Sequence, residues 1–208
     1  MDTAFLITAF VTLFVVIDPI GMTPLFVALT QGSSAARRRA IALRACVTSA
    51  LILIAFAAFG EAVLGFIGIS MPAFRIAGGV LLFLTALDML FERRTKRRQG
   101  QADEAEEDEG DDPSIFPLAI PLIAGPGAIA SVILLVGQQP GPEGLAMVVG
   151  VMLSLVLLVF LMFLTGSILE RALGKVGINV VTRLLGMLLA ALAVQFVLDG
   201  LRGFGLAG

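Results

Sequence analysis

The sequence predicts an all-α integral membrane protein with six transmembrane helices, arranged as a 3+3 inverted repeat in which helices 1 and 4 are discontinuous. Hydrophobic residues make up 58% of the 208 residues and charged residues 14%, whereas about a quarter of the residues in soluble domains are charged. The apolar residues fall into six stretches, each near the ~20 residues that a helix needs to cross a bilayer. Two of these stretches, one near the front of each half, are interrupted by proline and glycine.

The six predicted spans use most of the chain, and a charged linker divides them into two groups of three. The spans cover residues 4–30, 41–59, 73–91, 115–137, 145–169 and 180–201. The domain organisation is therefore a first three-helix repeat (1–91), a charged linker (92–113) and a second three-helix repeat (114–208). We expect the apolar start to be retained as span 1, because Asp2 stands where a signal peptide carries basic residues.

Spans 1 and 4 each contain a break. Residues 13–29 read LFVVIDPIGMTPLFVAL, and residues 118–135 read LAIPLIAGPGAIASVILL. A broken helix in lipid leaves backbone N–H and C=O groups unpaired, at a cost of several kcal/mol each unless protein or water covers them. A matched pair of interrupted hydrophobic segments is the best sequence indication of a transporter-like binding site.

The number of spans predicts that the repeat is inverted, because a unit of three helices must insert upside down when it is repeated. The ends of the two halves also resemble each other, since LGFIGIS at 64–70 matches LGKVGIN at 173–179. Arg75 and Arg183 then occupy matching places, each three residues before a glycine.

The basic residues predict the orientation of the chain. Arg and Lys cluster in the loops after spans 1 and 5 and at the start of the linker, and short loops rich in these residues stay in the cytoplasm. Both termini are therefore expected on the periplasmic or extracellular side, with the linker 92–113 in the cytoplasm. Its acidic run, QADEAEEDEGDD, is most simply a solvated connection, with cation or partner binding as the alternative.

Missing residue types exclude several kinds of chemistry. The chain has no His and no Tyr, and Cys46 is its single cysteine, so histidine-based metal sites and thiol relays are excluded. No glycine-rich phosphate loop precedes a lysine. We expect no enzyme activity, no catalytic residue, no metal site and no cofactor. Transport must then be passive, coupled to Na⁺ or H⁺, or energised by another subunit.

The first break supplies one acidic residue among its candidate binding residues. These candidates are Asp18, Pro19, Gly21, Thr23 and Pro24. An acid at the depth of the hydrocarbon is a functional candidate, and Asp18 is the first choice for a proton carrier, with Glu61 second. Alternatively, Asp18 caps the half-helix that begins at Pro19, which is a favoured helix start. Thr23 either offers its hydroxyl to a ligand or bonds back to its own helix.

The second break offers backbone groups and one nearby hydroxyl. Its candidate binding residues are Pro121, Gly125, Pro126, Gly127 and Ser131. The N–H groups after this break and the positive end of the half-helix dipole suit a carboxylate. The alternative is a kink that neighbouring helices repair, with no ligand. This break has no acidic residue. The sequence therefore does not choose between coupling to sodium, held by exposed carbonyls, and coupling to protons.

Arg75 and Arg183 have two interpretations. Each can extend from a span end to the lipid headgroups, or it can be the charge partner of an anionic substrate group or of Asp18. Glycines at 78, 79 and 186 allow helices to approach closely beside them.

The stretches IDPIGMTPLFVALT, RRRAIALRA, FRIAGGVLLFLTALDML and IPLIAGPGAIASVILL, in this order, resemble the MarC family of bacterial inner-membrane proteins. The resemblance covers the chain apart from the acidic linker, which is longer and more charged than is usual there. It implies six transmembrane helices and a relation to amino-acid exporters of the LysE-type superfamily. Some members are described as neutral amino-acid transporters.

Together these features predict a secondary transporter of small neutral amino acids or similar small zwitterions in the bacterial plasma membrane. Its substrate is expected between broken helices 1 and 4, and the partners are this small molecule and the lipid bilayer, without nucleic acid. The span surfaces permit a homodimer without requiring one. The main alternative is a non-transporting membrane module that stabilises or regulates a partner protein. An intramembrane enzyme is the weaker alternative, since Asp18, Thr23 and Ser131 do not form a nucleophile or metal set.

Overall fold

The computed structural model describes residues 3–94, 97, 100 and 112–206, apart from the side chain of Lys175. All regular secondary structure in these ranges is helical. Its segments are α1 (Thr3–Ile17), α2 (Pro19–Leu29), α3 (Ala35–Ile67), α4 (Met71–Leu90), α5 (Ser114–Ile123), α6 (Pro126–Val136), α7 (Pro142–Leu164) and α8 (Gly166–Gly203). Nearly all of the acidic run predicted as a solvated connection lies outside the described residues.

The helices confirm the predicted membrane class. Five stretches of the described chain are long and apolar enough to cross a bilayer, and the pair α5 and α6, bent by 51°, makes a sixth if it counts as one span. The five are Thr3–Leu29, Ala35–Ile67, Met71–Leu90, Pro142–Leu164 and Val176–Gly203. The chain is therefore an all-helical integral membrane protein.

Caps set the ends of α3 beyond the predicted span 41–59. The Ser34 hydroxyl accepts a hydrogen bond from the N–H of Arg37 at 3.3 Å, so the helix begins at Ala35, well before its apolar part. It ends at Gly68, whose left-handed φ of 83° stops the helix. The arginine-rich first turns are polar, and for this reason the hydrophobic pattern does not include them.

The second half differs from its predicted spans in one place. Helix α7 ends at Leu164 rather than near residue 169, and α8 begins at Gly166. Gly174 interrupts α8 with φ 60° and ψ 172°, so a short first part precedes the apolar part Val176–Gly203. Only that apolar part has the composition of a span.

The first span is the centre of the molecule. In Thr3–Leu29, 56% of the apolar window is buried inside the protein, against 22–33% in the other four spans. The Phe26 ring on α2 stacks on the Phe163 ring of α7 with centroids 4.3 Å apart. The other helices therefore surround span 1 and present their apolar outer faces to lipid.

Helices from the two halves of the chain interleave. Helix α3 packs on α5 and α6, while α7 packs on α1 and α2; α4 contacts α6, and α2 contacts α8. The most extensive contact joins α4 to α8. Glycines permit it: a Cβ on Gly79 would lie 2.7 Å from the Ala193 carbonyl oxygen, and one on Gly186 would lie 2.9 Å from the Met89 Cβ. Small residues at helix interfaces allow close approach of this kind in membranes.

Candidate functional site

The first break is closed by its own acidic residue. Asp18 separates α1 from α2 in a left-handed conformation (φ 57°, ψ 65°), and Pro19 is the first residue of α2. The Asp18 carboxylate accepts a hydrogen bond from the Gly21 N–H at 3.1 Å and is 0% exposed. This geometry is the capping alternative, in which the side chain satisfies an N–H that the helix start leaves open.

The other candidates in this break also belong to its internal packing. A Cβ on Gly21 would lie 2.8 Å from the Asp18 Cγ and would overlap the carboxylate oxygens, so only glycine fits beside the cap. The Thr23 hydroxyl is fully buried and donates to the Pro19 carbonyl oxygen at 2.8 Å. Pro24 lies within α2 and has no N–H to donate. Residues of the first break therefore supply many of the hydrogen-bond partners that its own polar groups need.

The second break is open. Ile120 is extended (φ −125°, ψ 124°), and the chain turns at Gly125 before α6 begins with Pro126. Gly125 is required by close approach, because a Cβ there would overlap the Pro121 carbonyl oxygen. No side chain in the described part of the chain caps α6. The N–H groups of its first turn are therefore available to a ligand or to water.

A cavity of about 530 Å³ lies against the second break. Its wall includes four of the predicted binding residues, Pro121, Gly125, Pro126 and Gly127, together with Ala128 in the first turn of α6. Helix α4 forms another part of the wall, and the end of α1 contributes Val16. The remaining lining residues are Leu81, Leu84, Thr85, Asp88, Arg94, Arg97, Leu122 and Ile123.

Among the described residues, three charged side chains line this cavity. Arg94 is 8% exposed and donates hydrogen bonds to the Val16 carbonyl oxygen at 2.6 Å and to the Met89 sulfur at 3.1 Å. Arg97 and Asp88 form an ion pair of 2.8 Å, with their side chains 58% and 26% exposed. Two cations and one anion give the cavity an excess of positive charge. Because Arg97 is so exposed, the cavity reaches the protein surface beside it.

The second break lies against the end of α1, just before the first break. A Cβ on Gly127 would lie 3.2 Å from Val16 Cγ1 and 4.0 Å from the Thr85 hydroxyl oxygen. The Val16 carbonyl, at the end of α1, is the group that Arg94 binds. The cavity thus touches the end of α1, whereas Asp18, Pro19, Gly21, Thr23 and Pro24 are not among its lining residues.

Ser131 is one turn beyond the cavity wall. It is fully buried, and its hydroxyl has no hydrogen-bond partner among the described residues. The Thr12 hydroxyl on the neighbouring α1 is buried without a partner in the same way.

The two candidate charge partners lie elsewhere. Arg75 donates to the Gly137 carbonyl oxygen at 3.1 Å, at the end of α6. Arg183 pairs with Glu92 at 2.7 Å on an exposed surface. Neither of these contacts involves Asp18. Glu61, the second candidate proton carrier, is exposed on α3.

Four polar residues of the cavity, Thr85, Asp88, Arg94 and Arg97, were not among the predicted site residues. The sequence carried no spacing signal for the Asp88–Arg97 pair, because the two residues are nine positions apart and helix side chains meet at spacings of three or four. Among the described residues, no group of three or more His, Cys, Asp or Glu is placed to hold a metal.

Comparisons with known proteins give the family. The sequence model of the MarC family, described as integral membrane proteins, matches residues 3–204. The UPF0056 membrane protein YvbG of Bacillus subtilis is 39% identical over 204 residues, 98% of this chain and 97% of the relative. The UPF0056 membrane protein MJ1677 of Methanocaldococcus jannaschii is 36% identical over 204 residues, 98% of each chain.

A bacterial relative carries a name that gives its membrane. The UPF0056 inner membrane protein YhgN of Escherichia coli (strain K12) is 35% identical over 200 residues, 95% of this chain and 96% of the relative. No solved structure matches the chain. The match over nearly the full length, together with the helical membrane fold, identifies the chain as a member of the MarC family of integral membrane proteins.

Proposed function

We propose that this chain is a secondary transporter of small neutral amino acids or similar small zwitterions across the bacterial plasma membrane. The observation that carries the proposal is the uncapped start of α6 beside a cavity of about 530 Å³. Uncapped N–H groups inside a membrane protein are costly unless a ligand or water satisfies them. Half-helix N-termini that meet anionic substrate groups are typical of transporters with broken helices.

The size and charge of the cavity support a small zwitterion. Its volume is within the roughly 300–1,000 Å³ of small-molecule pockets. The ligand carboxylate would lie between the first turn of α6 and Arg94, where the helix dipole and the guanidinium are both positive. Most of the remaining wall is aliphatic, which favours a neutral side chain on the ligand.

The transport cycle in this proposal uses a 3+3 inverted repeat with two discontinuous helices. In support of it, Asp18 lies between α1 and α2 in a left-handed conformation, and Gly125 lies between α5 and α6. The interleaved packing supports such a repeat, because α3 lies against the broken span of the second half while α7 lies against that of the first. Rocking of these elements would open the cavity to alternate sides. With the linker in the cytoplasm and both termini on the other side, the cavity beside Arg97 opens inward.

Reconstitution in liposomes tests the proposal. Purified protein is inserted, and uptake of labelled glycine, alanine and serine is measured with and without a sodium or proton gradient. We expect saturable flux of at least one of these amino acids. A gradient that raises the flux identifies the coupling ion.

Folding must be checked in the same preparation. Protein that elutes as one species, melts cooperatively and yet moves none of these substrates would overturn the proposal. That result would favour the non-transporting module, since such a module needs the same helices without a hydrated site.

A further inference from the structure

We propose that Asp88 binds the ammonium group of the transported zwitterion, and that the Arg97 guanidinium occupies this position until the ligand displaces it. The inference rests on the proposed function and assigns the second charged end of the ligand. Asp88 is the only acidic side chain among the residues that line the cavity in the described part of the chain.

The Asp88 carboxylate has capacity for a cation from the ligand. It lies on α4 three residues after Thr85, so both side chains are on the same face of the helix, and both line the cavity. Its Oδ2 accepts from Arg97 at 2.8 Å, whereas Oδ1 makes no hydrogen bond within the described residues. An ionised carboxylate offers about four acceptor sites, so this one is only partly occupied.

The two cavity arginines differ in how firmly they are held. Arg94 is 8% exposed and bound to a backbone carbonyl and a sulfur, so its charge is fixed. Arg97 is 58% exposed, and its only hydrogen bond or ion pair among the described residues is the one with Asp88. An ion pair this exposed contributes little, because water and salt screen it and the long side chain loses freedom. Arg97 is therefore the cation that a ligand can replace.

This arrangement predicts selection for molecules with both charges. A zwitterion places its carboxylate near Arg94 and its ammonium on Asp88, where the ammonium replaces the Arg97 guanidinium. Propionate lacks the ammonium and leaves the Asp88–Arg97 pair intact. Ethylamine lacks the carboxylate and makes no contact with Arg94. Both should bind more weakly than alanine, which has the same small apolar body.

Binding to purified full-length protein tests the inference separately from flux. The dissociation constant Kd of L-alanine is measured for the unmodified chain, Asp88→Asn, Arg97→Gln and the double variant, with propionate and ethylamine as competitors. Arg97→Lys keeps the positive charge, and Arg93→Gln removes a neighbouring exposed arginine that does not line the cavity. These two are the matched controls, and elution and melting establish that each variant is folded.

The two single variants should change affinity in opposite directions. Asp88→Asn should weaken alanine binding at least about tenfold, the usual loss for a charge-assisted contact in a cavity. Arg97→Gln should tighten it about two- to fivefold, the range that an exposed ion pair allows, and should have no effect when Asp88 is already Asn. If the Asp88–Arg97 pair had only a structural role, Asp88→Asn and Arg97→Gln would instead weaken alanine binding equally.

Other outcomes would reject the displacement of Arg97, the ammonium site or the proposed function itself. Unchanged or weaker binding in Arg97→Gln, with alanine bound normally by the unmodified chain, rejects the displacement but leaves the proposed function. Propionate that binds as tightly as alanine rejects the ammonium site. An unmodified chain that neither binds nor moves any zwitterion rejects the proposed function and this inference together.

Discussion

The two breaks differ in how the helix that follows each one begins. At the first break, Asp18 caps α2, and the Asp18 and Thr23 side chains are fully buried and hydrogen-bonded to groups of α2 itself. At the second break α6 begins with Pro126, none of the described side chains caps it, and its first turn borders a cavity. Segments that look alike in sequence thus differ in the structure: the first is sealed by its own cap, whereas the second borders the cavity in which we propose that a ligand binds.

Arg94 connects these two regions, and its loss should have the largest effect on stability. In Arg94→Gln the Val16 carbonyl loses its 2.6 Å charge-assisted hydrogen bond in a buried place. We expect the free energy of unfolding in detergent to fall by about 1.5–3 kcal/mol, the usual value for hydrogen bonds to charged groups. Arg93→Gln, an exposed neighbour, should unfold like the unmodified protein. Equal stability of the two variants would contradict the role assigned to Arg94.

Gly21→Ala, in the first break, should cause the second largest loss of stability. The new Cβ would occupy the space of the Asp18 carboxylate, which is buried and cannot move away without losing its hydrogen bond. Overpacking of this kind costs about 1–3 kcal/mol. Gly65→Ala is the matched control, because nothing lies within 4 Å of that Cβ. Gly21→Ala should lower the free energy of unfolding less when Asp18 is already Ala. A double-mutant cycle therefore isolates the contact between the new Cβ and the Asp18 carboxylate. Stability losses from the two substitutions that simply add would contradict this contact.

Substitutions of Asp18 itself distinguish a cap from a charge. Asp18→Ala should lower the free energy of unfolding by about 0.5–2 kcal/mol, because the Gly21 N–H loses its acceptor. Asp18→Asn should lower it less, since Asn is an equally good N-cap and tolerates the left-handed conformation observed here. Thermal unfolding of both variants provides the measurement. An Asn variant as unstable as the Ala variant would mean that the negative charge, rather than the cap, matters.

The smallest effect is expected at Arg183. Its ion pair with Glu92 is exposed, and exposed pairs contribute about 0–1 kcal/mol. Arg183→Gln should therefore shift the melting temperature only slightly, and less in high salt than in low salt. A large shift would place this residue in the core of the molecule, contrary to its exposure.

Sequence patterns predicted the helical membrane class because it depends on long apolar stretches and few charges. They also located the second break, since Pro121, Gly125, Pro126 and Gly127 all line the cavity. The same patterns could not choose between the two interpretations of Asp18, because an N-cap and a buried functional acid have the same sequence. Arg94 and Asp88 were missed for a physical reason: a charged residue near a span end has the same signature whether it faces headgroups or folds back into a cavity.

Thiol labelling compares the two breaks most directly. Cys46 is first replaced by Ala, and Thr85→Cys on the cavity wall is compared with Thr23→Cys in the sealed break. Both variants are treated, in membranes opened to both sides, with a small charged thiol reagent. We expect rapid modification at position 85, slowed by alanine, and essentially none at position 23. Equal modification of both positions, or protection of position 85 in the absence of ligand, would contradict the assignment of one wet break and one sealed break.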